Sequence, residues 1–95
     1  MISVVILYPK SDDTTFDMDY YTGKHMPMFA DAVGEACKGW GVAEGGPKYH
    51  AVGWLMAETQ EAFDNAMAQQ GAAIIADVPN YTNARPELIV GNVVV

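Results

Sequence analysis

Ninety-five residues can enclose one hydrophobic core and are too few for two, so the expectation is a single domain over 1–95. An apolar half of the chain excludes a disordered segment, and a formal charge of −7 without any block of Lys or Arg argues against nucleic acid or an anionic membrane as partner. The only cysteine, Cys37, allows no intrachain disulfide and fits a reducing, cytoplasmic compartment.

The chain opens with "ISVVILYP" (2–9), rich in β-branched residues and stopped by Pro9, which predicts a strand. This apolar stretch is too short for a membrane span and lacks the basic leader of a signal peptide. After the polar loop "KSDDTT", Asp17 is placed to cap a helix that runs to about Glu35. "GWGVAEG" (39–45) and "YHAVGWLMA" (49–57) read as a hairpin turned by "GGPK". Thr59 is a second N-cap, for a helix over 60–70 that Gly71 would end. "AAIIADVPNYTNARP" reads as a short helical turn and a loop braked by Pro79 and Pro86. "ELIVGNVVV" (87–95) closes the chain as a strand.

The order β-α-β-β-α-β is that of a ferredoxin-like α+β sandwich: an antiparallel four-stranded sheet with two helices on one face. Two helices cover one face, yet the strands are apolar on both, Ile2, Val4 and Ile6 alternating with Val5 and Leu7. An open face in water would carry polar residues. The pattern therefore predicts a homodimer through the sheet faces.

Within "FDMDYYTGKHMPMF" (16–29), an advance of about 100° per residue from Met18 puts Tyr21, His25, Met28, Phe29, Ala32, Val33 and Ala36 on one core-facing arc. Tyr20, Lys24, Asp31 and Glu35 fall on the solvent side. Pro27 removes a helical hydrogen bond and predicts a kink. His25 should thus point between helix and sheet, where desolvation favours a neutral ring suited to general acid/base work. The structural alternative is a packed histidine with both nitrogens bonded inside the protein. Tyr21, Phe29, Trp40, Trp54 and Tyr81 are candidate walls of a small-molecule pocket, and equally ordinary core aromatics. Asp77 and Asn80 could orient the histidine or bind a substrate hydroxyl, or serve the loop backbone. His50 is expected to be structural or at the dimer face. Two histidines and one cysteine without ligand spacing predict no metal site, and no dinucleotide or phosphate-binding motif is present.

Two stretches carry a family resemblance. "FDMDYYTGKHMPMF" is similar to the first-helix signature of the EthD-like family, and "ADVPNYTNARPELIVGNV" resembles its closing loop and strand. "YHAVGWLMAETQEAF" fits between them, so the resemblance spans essentially the whole chain. It implies a dimeric α+β barrel whose pocket lies between sheet and helices in each subunit. Carried over residue by residue, it implies His25 in that pocket, Tyr21 beside it, and Asp77, Asn80 and Tyr81 on the loop. Some members bear a reductase label, for which this chain has no cofactor motif. Related proteins act as dehydratases, isomerases, cofactor-free monooxygenases or haem-handling enzymes. The expectation is a protein without cofactor in which His25 moves a proton, in dehydration or isomerisation, on a small apolar metabolite, aromatic ones included. The competing expectation is a non-catalytic dimer that binds an apolar metabolite or serves an oxygenase system.

Overall fold

A computed structural model describes residues 1–95. Strand β1 (Ile2–Pro9) alternates as its sequence dictates: Ile2, Val4, Ile6 and Tyr8 are buried, and the residues between them are half-buried on the other face. It pairs antiparallel with β3 (Tyr49–Ala57) on one side and β4 (Glu87–Asn92) on the other. β2 (Cys37–Glu44) completes the hairpin with β3, and the sheet order is β2-β3-β1-β4. This is the ferredoxin-like α+β fold, with both helices on the face that carries Val4, Ile6, Ala51 and Leu55.

Helix α1 has three parts: α-helical Met18–Tyr20, a π-helical turn Tyr21–His25, and α-helical Met26–Val33. Asp17 caps it, its carboxylate accepting from the Tyr20 amide. The expected kink at Pro27 takes the form of this π turn, in which the Met26 amide donates to the Tyr21 carbonyl. Pro27 has no N–H to offer the preceding turn, and the wider turn lies directly upstream of it. The extra residue in that turn also rotates the remainder of the helix about its axis. Met26 becomes fully buried while Met28 is only half-buried, the reverse of what a uniform helical period predicts. Gly34, at φ 71°, ends the helix in a conformation that L side chains rarely adopt.

Helix α2 runs Gln60–Asp77 from its Thr59 cap, well beyond the predicted end at residue 70. Gly71 does not stop it. One glycine costs a helix about 1 kcal/mol, and the alanines after it together with the burial of Ile74 outweigh that. The extension sets the place of Asp77, which becomes the last helical residue rather than a loop residue. A 3₁₀ turn, Val78–Asn80, comes next.

β4 ends at Asn92, short of the predicted 95, and is exposed throughout because neither helix covers that edge. On the sheet's open side lie Val5, Leu7, Val52, Trp54, Met56 and Ile89, an apolar surface without a helix over it. No helix is long and apolar enough to cross a membrane.

Candidate active site

His25 ends the π turn and is 3% exposed. Its Nδ1 lies 2.9 Å from Oδ2 of Asp77. The other carboxylate oxygen, Oδ1, accepts from the Tyr20 hydroxyl at 2.6 Å and from the Asn80 amide at 2.9 Å. These bonds hold the Asp77 carboxyl below its ordinary value. Tyr20 contributes most, with Asn80 and His25 adding to it against the effect of burial. An ionised carboxylate can only accept, so Nδ1 carries the proton of this bond, and in the neutral ring that tautomer puts the lone pair on Nε2. No protein group bonds to Nε2.

The ring is fixed by aromatic neighbours as well. Tyr81 lies 4.6 Å from it and Tyr21 stacks on it at 5.7 Å, centroid to centroid. Tyr8, Phe16, Tyr21 and Tyr81 interlock behind, and the Tyr8 and Tyr81 hydroxyls share a 2.6 Å hydrogen bond. Burial pushes all three phenols, Tyr8, Tyr21 and Tyr81, above their ordinary range, so none is a base at neutral pH. The Tyr21 hydroxyl is buried and bonds to no protein group. It lies against the backbone of Gly53, where a side chain would collide with it.

His25 lines a cavity of about 340 Å³ between the helices and the β1–β4 side of the sheet. Eleven of its fourteen lining residues are hydrophobic, among them Ile6, Met26, Phe29, Phe63, Met67 and Ile74, and none of the chain's five Lys and Arg residues reaches it. An occupant must therefore be largely apolar and uncharged, and the one titratable group other than tyrosine that it meets is His25. A broader, shallow depression formed by 15–17 and 78–85 is open to the outer surface, and four of its eleven lining residues are hydrophobic. No group of three or more His, Cys, Asp or Glu side chains is arranged to hold a metal ion.

Among the candidate residues, Tyr21 and Phe29 line this cavity with His25. Tyr81 packs on the His25 ring from outside it; Asp77 bonds the histidine, Asn80 bonds Asp77, and neither lines the cavity. The two tryptophans lie elsewhere. Trp54 pairs with Val5 on the open face, its ring over Gly41, and Trp40 sits at the far end of α1 beside Ala30 and Gly34. Strand alternation explains Trp54: Leu55, not its neighbour, faces the helices. His50 stacks on Phe16 at 5.6 Å and bonds the Thr14 hydroxyl at 2.8 Å, bracing the first loop. Sequence reasoning missed Tyr20, assigned to solvent by a uniform helical period, and the α2 wall of the cavity. The paired Tyr20-Tyr21 at a helix start was the available signal, since adjacent helical residues cannot share one face.

No family model and no curated protein matches the chain. Solved structures do. An EthD-like protein from Ralstonia eutropha JMP134 is 34% identical over 99% of this chain and 92% of that one, with a TM-score of 0.90. The chain belongs to the EthD-like family. An EthD family protein from Bacillus halodurans C-125 is 19% identical, covering 99% of both chains at a TM-score of 0.70. SnoaB from Streptomyces nogalater, a cofactor-independent oxygenase, shares the fold at 11% identity, with 97% of this chain and 91% of that one covered and a TM-score of 0.69. The fold of this EthD-like protein thus also houses, in another protein, chemistry without a cofactor.

Proposed function

We propose that this EthD-like protein is a cofactor-independent enzyme in which His25 moves a proton on a small, neutral, apolar metabolite. The observation that carries this reading is the divided histidine: Nδ1 is held by Asp77 and Nε2 is unclaimed at an apolar cavity. Nε2 takes a proton from a carbon next to a carbonyl, and the Asp77 carboxylate stabilises the imidazolium that forms. The same nitrogen then returns the proton to a departing hydroxyl in a dehydration, or to another carbon in an isomerisation. Because no cation lines the cavity, the substrate must delocalise its own negative charge, which favours conjugated or aromatic rings.

The sheet-to-sheet homodimer belongs to the same reading. Val5, Leu7, Val52, Trp54, Met56 and Ile89 form the apolar face it would cover, and light scattering at micromolar concentration should give twice the chain mass of 10.3 kDa.

One observation favours a second reading, a binding protein without turnover: eleven of the fourteen cavity-lining residues are hydrophobic, and no cation among them could hold an oxyanion. The two separate on His25→Ala. An enzyme loses turnover of neutral one- and two-ring ketones and lactones while still binding them. Retained turnover would end the acid/base reading, and binding by both forms with turnover by neither would favour the binder.

A further inference from the structure

Tyr20 lies outside the cavity and outside the core, yet it makes the shortest hydrogen bond to the carboxylate that orients His25. Its hydroxyl donates to Oδ1 of Asp77 at 2.6 Å, and the Asn80 amide donates to the same oxygen at 2.9 Å. Oδ2 is left for Nδ1 of His25. The two carboxylate oxygens are thereby sorted, one saturated from the surface side and the other reserved for the ring.

We propose that Tyr20 is a positioning residue for His25, fixing the Asp77 carboxylate so that the imidazole stays in the tautomer with its proton on Nδ1 and its lone pair on Nε2. The inference rests on the reading of His25 as the acid/base group, and extends it to a residue that touches neither cavity nor ring nitrogen.

Three features support it. The Asp77 side chain retains 15% exposure, so without a tether it can turn an oxygen toward water and loosen its hold on the ring. The Tyr20 ring is itself held by two neighbours, stacked on Tyr81 at 6.0 Å with the Lys24 ammonium 5.4 Å from its centroid. Tyr81 in turn packs on His25, so hydroxyl and ring act on the histidine from two directions. Finally, the π turn begins at the next residue. It carries Tyr21 inward under His25 while Tyr20 stays level with the end of α2.

The test is Tyr20→Phe, which deletes the hydroxyl and keeps the ring with its contacts to Tyr81 and Lys24. The readout is the ¹⁵N spectrum of the His25 ring in the labelled full-length protein at fixed neutral pH, where protonated and bare nitrogens are well separated. Wild type should show Nδ1 protonated and Nε2 bare. In Tyr20→Phe the ratio of the Nε2–H to the Nδ1–H tautomer should rise about five-fold, the effect of one hydrogen bond worth ~1 kcal/mol, with circular dichroism unchanged. A variant carrying 4-aminophenylalanine at position 20, which restores a donor, should return the wild-type spectrum.

An unchanged tautomer in folded Tyr20→Phe overturns the proposal. So does failure of that variant to fold, which would make Tyr20 structural, and so does failure of the amino variant to restore the spectrum. The reading of His25 is judged separately. If the tautomer shifts as expected but His25→Ala turns over substrate like wild type, the positioning of the ring stands and its catalytic role falls.

Discussion

Gly53→Ala tests how tightly the sheet is fitted to the helix beneath the site. A Cβ at this position of β3 would lie 2.2 Å from the Tyr21 hydroxyl oxygen and 3.2 Å from Cζ. Ordinary contact begins near 3.4 Å, so the oxygen would have to move by about 1.2 Å. Tyr21 is fully buried and stacked on His25, so the movement is resisted from both sides. Overpacking of this kind costs roughly 1–3 kcal/mol, and the loss of glycine's freedom in the unfolded chain returns about 0.5. A net loss of ~1.5 kcal/mol corresponds to a fall in Tm of roughly 6–12 °C for a domain of this size.

The mechanism is checked by a double-mutant cycle in urea. Tyr21→Phe removes the clashing oxygen and a buried hydroxyl without a partner, so alone it should be neutral or slightly stabilising. In that background the Cβ of Gly53→Ala meets Cζ at 3.2 Å and, in ordinary contact, Met26 Sδ at 3.6 Å, and its cost should drop to ~0.5 kcal/mol or less. A coupling near 1 kcal/mol is expected. Additivity within about 0.5 kcal/mol would refute the argument that the hydroxyl requires Gly53.

Acid unfolding should carry the signature of Asp77. Its carboxyl is held below the ordinary value of 3.8, mainly by Tyr20, so its contribution is fully present above that pH and is lost as pH falls through the lowered value. Urea denaturation between pH 5 and 2 should show this loss, and Asp77→Asn should flatten it; an equally steep decline in the variant would contradict the assignment. Gly71→Ala should stabilise the protein by about 0.5–1 kcal/mol, because a Cβ there makes only ordinary contact with Met67, at 3.6 Å or more, in mid-helix; a lowered Tm would count against that packing. Leu7→Lys on the open sheet face should leave a folded monomer by light scattering, and a dimer unaffected by this charge would place the contact elsewhere.

The strands were legible in the sequence because alternation survives packing: Ile2, Val4 and Ile6 read as one face and are one face. His25 and Tyr21 were legible because residues four apart share a face in a π turn as they do in an α turn. Beyond His25 the faces are displaced from the ordinary period, since the π turn Tyr21–His25 has no signature of its own other than the proline after it. Asp77 was read near the histidine by resemblance but on a loop, because Gly71 looked like a helix end; only the tertiary burial of Ile74 shows why the helix continues. The two tryptophans were assigned by residue type, which fixes neither the side of a strand, as at Trp54, nor the distance along the sheet, as at Trp40. Tyr20 was hidden for a related reason. A residue on the solvent side of its own helix still met the end of another helix some 57 positions away.

The measurement that tests the central claim most directly is deuterium exchange at an enolisable carbon, followed by NMR in D₂O with 1-tetralone and a panel of neutral one- and two-ring ketones. It needs no knowledge of the natural substrate, only the proton transfer assigned to Nε2. The account predicts that the protein accelerates exchange for at least one compound that fits the cavity of about 340 Å³, and that His25→Ala loses this acceleration by about 10²–10⁴-fold while remaining folded. Equal exchange with wild type and His25→Ala, or no rate above buffer across the panel, would contradict it.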